Sequence, residues 1–156
     1  MSEGSYNNII DIFTQEHTGH VQVHSQDYLT RPSLYKTINN SEEVIRDLES
    51  SNQVIGVAPR IYGPSLAYGK NKTFPAQTIG IDPERESKTT RLKDKITQGQ
   101  YLTNTLTTSQ MHPAMIGFSL AKNLNLSLGD ELVLISQGAD GSIANDVFEI
   151  TAILGN

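Results

Sequence analysis

The chain has 156 residues, 37% hydrophobic and 19% charged, with a formal net charge of −5 and a pI near 5.3. That suits one domain or two small lobes with a core, and it excludes the basic face that nucleic-acid binding needs. No cysteine is present, so disulfides, thiolate metal sites and cysteine nucleophiles are excluded too.

No apolar run approaches the roughly 20 residues that cross a bilayer. Met1 is followed by Ser-Glu-Gly, without the basic start and apolar stretch of a signal peptide. Tyr6, Ile9, Ile10 and Phe13 then fall on one helical stripe, with Ser5 as N-cap and Gly19 as stop. "HVQVH" alternates, Val21 and Val23 against His20, Gln22 and His24, which predicts a half-buried strand. Pro32 disfavours helix at Arg31, so the stretch up to Asn40 reads as a loop. "NSEEVIRDLES" predicts a second helix, capped by Asn40 or Ser41, with Val44, Ile45 and Leu48 as its buried stripe.

"VIGVAPRIYGPSLAYG" and "KTFPAQTIGID" predict two strands about a turn near Gly69–Lys72, their prolines and glycines implying bulges or edge positions. "PERESKTTRLKDKITQGQYL" reads as a charged surface connection with room for a helical turn. In "HPAMIGFSLAKNLNLSLGDEL", Ile116, Leu120 and Leu124 predict a helix that ends at Asn125 or within Leu126–Gly129. A closing hairpin follows: Leu132 and Leu134, a turn at "GADGS", then Val147–Leu154. One face of that last strand is strongly apolar and has to be covered. The strand–helix–strand–strand order marks an α+β fold.

Several chemistries are weighed against these elements. His17, His20 and His24 would align on a helix, but on a strand His20 and His24 stand roughly 13 Å apart. One zinc with bonds near 2 Å cannot hold both, so they read as polar-face histidines and no metal site is expected. "GPSLAYGKN" misses the phosphate-loop pattern: five residues separate its glycines, Asn71 follows Lys70, and Pro64 removes a donor. A strand running into a turn is the better reading. "GFSLA" has Ala121 where a nucleophile elbow needs glycine, and Ser119 lies inside the helical pattern. Asp82, Glu84 and Glu86 sit close to Lys88, Arg91 and Lys93 and read as a solvated mixed-charge surface. No catalytic residue and no cofactor are expected. "YGPSLAY" places Tyr62, Leu66 and Tyr68 on one strand face, either as core or as an apolar contact surface for lipid or protein.

Four stretches together carry a resemblance: "TGHVQVHSQDYLTRPSLY", "VIGVAPRIYG", "TIGIDPERE" and the run from Ile116 to Leu154. They are similar, in order, to the extracytoplasmic core domain of FtsX-like ABC-transporter permeases, which include the lipoprotein-releasing (Lol) permeases and the MacB exporters. "GIDPERE" and "ADGSIAN" resemble the lipoprotein-releasing branch most. The resemblance implies that residues 1–18 continue a transmembrane helix. Residues 19–97 would form part of a strand–helix–strand, porter-like lobe. Residues 98–156 would form a smaller β-rich lobe with one helix and a C-terminal hairpin.

It further implies a non-catalytic periplasmic domain on the bacterial inner membrane, a fragment of a larger protein. Its expected partners are a cytoplasmic ATPase subunit, a partner permease, a periplasmic chaperone or adaptor, and lipidated or hydrophobic cargo. Release of lipoproteins is the implied role; MacB-like export and FtsX-like regulation are the alternatives. On the fragment reading, the apolar face of Val147–Leu154 meets structure outside this chain, or a second copy through an exposed strand edge. A stand-alone soluble interaction domain is the competing class, and it predicts a strict monomer.

Overall fold

A computed structural model describes residues 21–25, 27–31, 33, 36–138 and 140–155. The expected first helix, Tyr6 to Phe13, and residues 1–18 as a whole lie outside the described residues. The chain divides into two compact units, Met1–Pro59 with Glu84–Asp94, and Arg60–Pro83 with Lys95–Asn156.

The first unit carries helix α1, Ser41–Glu49, where the apolar periodicity places it. Glu42 and Glu43 lie in its first turn, where the helix dipole favours acids. Asn40 precedes the helix but makes no capping bond; its side chain reaches Glu43 Oε2 at 3.2 Å instead. The expected stripe of Val44, Ile45 and Leu48 is half-buried, not buried. Helix α2 starts at Pro83 and runs to Thr89, followed by a 3₁₀ turn over Leu92–Lys95. The charged connection is therefore more ordered than its composition suggests. Proline at the first helical position, where no N–H is needed, and acids in the first turn account for the start. Arg85 is ion-paired with Glu49 of α1.

Val21–His24 is not a strand. Val21 and Val23 are exposed, because alternation without a neighbouring strand leaves a ladder unpaired, and no described strand pairs with this segment. His24 stacks on Tyr28, ring centroids 5.5 Å apart, and its Nε2 lies 2.8 Å from Gln22 Oε1.

The second unit is built on one six-stranded sheet. Strands β1 (Arg60–Gly69) and β2 (Lys72–Ile81) form a hairpin around Lys70 and Asn71. Both turn residues have positive φ, 45° and 65°, the signature of the type I′ turn whose twist matches the strands. The register runs from Gly69↔Lys72 to Arg60↔Ile81 without a break, so the expected bulges are absent. Parity explains this. In a two-residue hairpin the closing pair exchanges both hydrogen bonds, and such pairs then alternate with open ones. Pro64 and Pro75 fall on open pairs, where the missing N–H costs the ladder nothing.

β3 (Ile96–Gly99), β4 (His112–Gly117), β5 (Glu131–Gln137) and β6 (Ile143–Leu154) complete the sheet. β5 lies antiparallel between β1 and β6, so the hairpin expected in the 19–97 lobe shares a sheet with residues 95–156. β6 pairs at Phe148 with both β5 and β4, and at Ile153 with both β3 and β4. Since a strand has two edges, β4 runs along one, while β5 and then β3 occupy the other.

Helix α3 spans Phe118–Leu124 only. The longer helix expected through Ile116 is corrected, because Ile116 belongs to β4, parallel to β6. Gly117, extended at φ −69° and ψ 149°, separates strand from helix. Ala121 and Leu124 of α3 pack with Ala67, Ile116, Leu126, Leu132, Ile150 and Ile153 into the core. The apolar face of the last strand is thus covered from within the chain, around Ile150 and Ala152. The expectation that it meets structure outside the chain is overturned, since α3 and the loop after it supply the cover.

Candidate functional site

Tyr62, Leu66 and Tyr68 alternate with Ser65, Ala67 and Gly69 along β1. The latter three are buried, and Ser65 is anchored by its hydroxyl, 2.7 Å from Thr78 Oγ1 and 3.2 Å from the Ala76 carbonyl. The named trio therefore lies on the opposite, outer face. Directly opposed residues of antiparallel strands share a face, so the register extends it. Tyr62 faces Ile79 and Leu66 faces Pro75 on β2. Leu66 faces Ile135 and Tyr68 faces Val133 on β5, and Val133 faces Val147 on β6.

Leu66 is 47% exposed, Ile79 46%, Tyr68 39% and Val147 37%. With strands about 4.8 Å apart and about 3.4 Å per residue, the face measures roughly 14 by 20 Å. An apolar face of about 300 Å² reaches the size at which patches on soluble domains are often functional.

Polar ends of the tyrosines are satisfied at the rim. Arg60 Nη1 donates to the Tyr62 hydroxyl at 3.3 Å, and the Tyr68 hydroxyl donates to Asn71 Oδ1 at 3.2 Å. Between them the face carries no charge. Its acidic rim is formed by Glu131 and Glu149, opposed across β5 and β6, and Glu149 Oε2 is buried without a hydrogen-bond partner.

The hairpin tip below the face is fixed by Lys70, whose Nζ lies 2.6 Å from Asp130 Oδ2. Asp130 also accepts the Ser127 N–H at 2.8 Å. The Lys70 hydrogen bond, then the Ser127 bond, hold its carboxyl below the usual range. Asp140, in the turn of the β5–β6 hairpin, is lowered likewise by the Ser142 hydroxyl at 2.6 Å and the Ser142 N–H at 3.0 Å.

The other candidates fall elsewhere. His17 and His20 lie outside the described residues, and no group of three metal-ligating side chains occurs among the described residues. Lys70 of the near phosphate loop is held in the hairpin turn by its ion pair. Ser119 is an exposed residue of α3. Asp82, Glu84 and Glu86 do not form one solvated surface, because Glu86 is fully buried and accepts the Thr90 hydroxyl at 2.6 Å. Ile79, Val133, Ile135 and Val147 escaped sequence reasoning. Period-two alternation in "TIGI" and "LVLIS" marks a face on each strand, but only the register joins those faces.

No helix among the described residues is long and apolar enough to cross a membrane. The family model described as the MacB-like periplasmic core domain matches residues 1–156. No curated protein matches the chain.

Proposed function

The chain belongs to the MacB-like periplasmic core domain family, and we propose that it serves an ABC permease that releases lipoproteins from the inner membrane. Membership makes it the extracytoplasmic domain of an ABC-transporter permease that works with an ATPase partner. In our reading the domain itself catalyses nothing. It passes the ATPase cycle to a lipidated cargo or to the periplasmic carrier that receives it. The supporting observation is the uncharged outer face of β1, β2 and β5, where Leu66, Ile79 and Tyr68 remain substantially exposed. Such a face suits an apolar load.

Leu66→Glu with Ile79→Glu, placed in the full permease, tests this. Both side chains already face solvent, so the fold tolerates the change. We expect lipoproteins to accumulate in the inner membrane while ATP hydrolysis persists. Normal lipoprotein release, combined with loss of export that depends on an outer-membrane channel, would establish MacB-like export instead. The family match is equally compatible with that second reading.

A further inference from the structure

We infer that Asp140–Gly141 is a site of spontaneous isomerisation through a succinimide, and that Ser142 holds this reaction in check. No other aspartate in the chain is followed by glycine. Glycine matters because the next residue's amide nitrogen must reach the aspartate side chain, and a Cβ on that residue would stand in the way.

The turn between β5 and β6 requires both residues. Gly141 has φ +83°, in the left-handed region that glycine enters without cost. Its N–H donates to the Gly138 carbonyl at 3.0 Å, and the Gly138 N–H donates to the Ser142 carbonyl at 2.8 Å, which closes the hairpin. Asp140 spans the same turn with its side chain. Its Oδ1 accepts the Ser142 N–H at 3.0 Å and the Ser142 hydroxyl at 2.6 Å, the local bridge that favours aspartate in turns. A tight closure thus sets side by side the two residue types whose junction is chemically least stable. Asp140, Gly141 and Ser142 are exposed, so water, the only co-reactant, is at hand.

In the first step the Gly141 nitrogen gives up its proton and bonds to Asp140 Cγ. The bond from Cγ to one carboxyl oxygen breaks, and that oxygen leaves as water with the amide proton and the carboxyl proton. In the second step water adds to one of the two carbonyl carbons of the cyclic imide, and the bond from that carbon to nitrogen breaks. Opening at the side-chain carbonyl restores aspartate. Opening at the main-chain carbonyl leaves isoaspartate, whose backbone is longer by one methylene, with no net change in mass. That methylene falls between Gly138 and Ser142, so the product loses the closing bond and the Gln137↔Ile143 pair beside it is disturbed.

Ser142 opposes the first step. A neutral carboxyl expels its hydroxyl as water, whereas a carboxylate has no such leaving group. The Ser142 hydroxyl, then the Ser142 N–H, hold the Asp140 carboxyl below the usual range, so the reactive neutral form is scarce at neutral pH. The same two bonds tether the side chain, and Cγ does not turn freely onto the Gly141 nitrogen. That nitrogen's proton is meanwhile committed to Gly138.

The test incubates the folded 156-residue chain for weeks in neutral buffer made with heavy-oxygen water. Mass spectrometry of the digested chain then counts label at Asp140, which records every passage through the imide, and fragmentation separates isoaspartate from aspartate. Slow labelling at Asp140 is expected in the native chain, and several-fold faster labelling in the chain unfolded in urea. Ser142→Ala, still folded, should label several-fold faster than the native chain. Ser142→Thr keeps both the hydroxyl and the N–H and should stay slow. Gln137→Ala removes the Nε2 bond to the Gly141 carbonyl, 3.3 Å long, and loosens the turn without touching the carboxylate, so it should also stay slow. Equal rates in the native chain and Ser142→Ala overturn the inference. So does a fast Ser142→Thr, or a Gln137→Ala as fast as Ser142→Ala, since either would make general loosening of the turn the cause. An Asp140 that takes up no label even in urea overturns it as well.

Discussion

At the scale of single residues, the tip of the β1–β2 hairpin is controlled by a surface ion pair. Asp130 has its carboxyl held down by Lys70 and by the Ser127 N–H. A folded-state value below the unfolded one means the carboxylate stabilises the fold above about pH 4. That contribution is lost as pH falls through the lowered value. Asp130→Asn should therefore cost about 0.5 kcal/mol at neutral pH, a small figure because solvent screens the pair. It should also shrink the difference in urea midpoint between pH 7 and pH 3. An unchanged difference would show that Asp130 does not carry the acid limb.

Gly99 is less forgiving. It has φ +88°, and a Cβ there would lie 2.1 Å from the Thr151 carbonyl oxygen, the same atom that accepts the Gln100 N–H at 2.9 Å. Gly99→Ala should cost about 2–4 kcal/mol in denaturant unfolding, from backbone strain together with a displaced β3–β6 contact.

At the scale of elements, α3 shows what holds a seven-residue helix in place. Asn125 ends it in the left-handed region, φ 55° and ψ 43°. The Leu126 N–H then returns to the Ala121 carbonyl at 2.8 Å, and the Asn125 N–H to Lys122 at 3.3 Å. This is a Schellman closure, with Leu126 buried beyond it. Asn125→Gly should raise the unfolding free energy by about 0.5 kcal/mol, and Asn125→Ala should lower it by about 1 kcal/mol. Equal stability of the two variants would mean that this backbone geometry carries no strain.

The stop of α3, expected at Asn125 or within Leu126–Gly129 and found at Asn125, was legible in the sequence, as were α1, the β1–β2 hairpin and the closing hairpin, because each rests on local signals. The start of α3 was not. Ile116, Leu120 and Leu124 fit a helical stripe, yet Ile116 is claimed by a parallel pairing with β6, more than thirty residues away. Val21–His24 failed in the opposite direction, its alternation being local while the pairing that makes a strand is not. The outer apolar face was half legible. Tyr62, Leu66 and Tyr68 were placed together from one strand's alternation, while Ile79 and Val147 join them only through register.

At the scale of the whole molecule, the two units differ in what holds them. The second has a continuous core in which Leu124, Leu132 and Ile150 are almost completely buried. β6 runs through its sheet with partners on both edges. In the first, α1 has no buried residue, and its ion pair from Glu49 to Arg85 joins two substantially exposed side chains, an interaction of small worth. Stability should therefore be unequal, with α1 opening at a lower free energy than β5 and β6.

Native-state hydrogen exchange reads this amide by amide. Those of Val44–Glu49 should exchange through a local opening, and those of Leu132–Leu134 and Phe148–Ala152 only through global unfolding. Leu124→Ala should sharpen the contrast. Losing a fully buried leucine costs about 2–5 kcal/mol, which should appear in the β5 and β6 amides and leave the α1 amides unchanged. If the α1 amides follow Leu124→Ala by the same amount, the chain unfolds as one cooperative body. The exposed helix would then draw its stability from the core of the other unit. If they do not, this chain combines a firm sheet with a unit that opens cheaply, and a transport cycle can open that unit without dismantling the sheet.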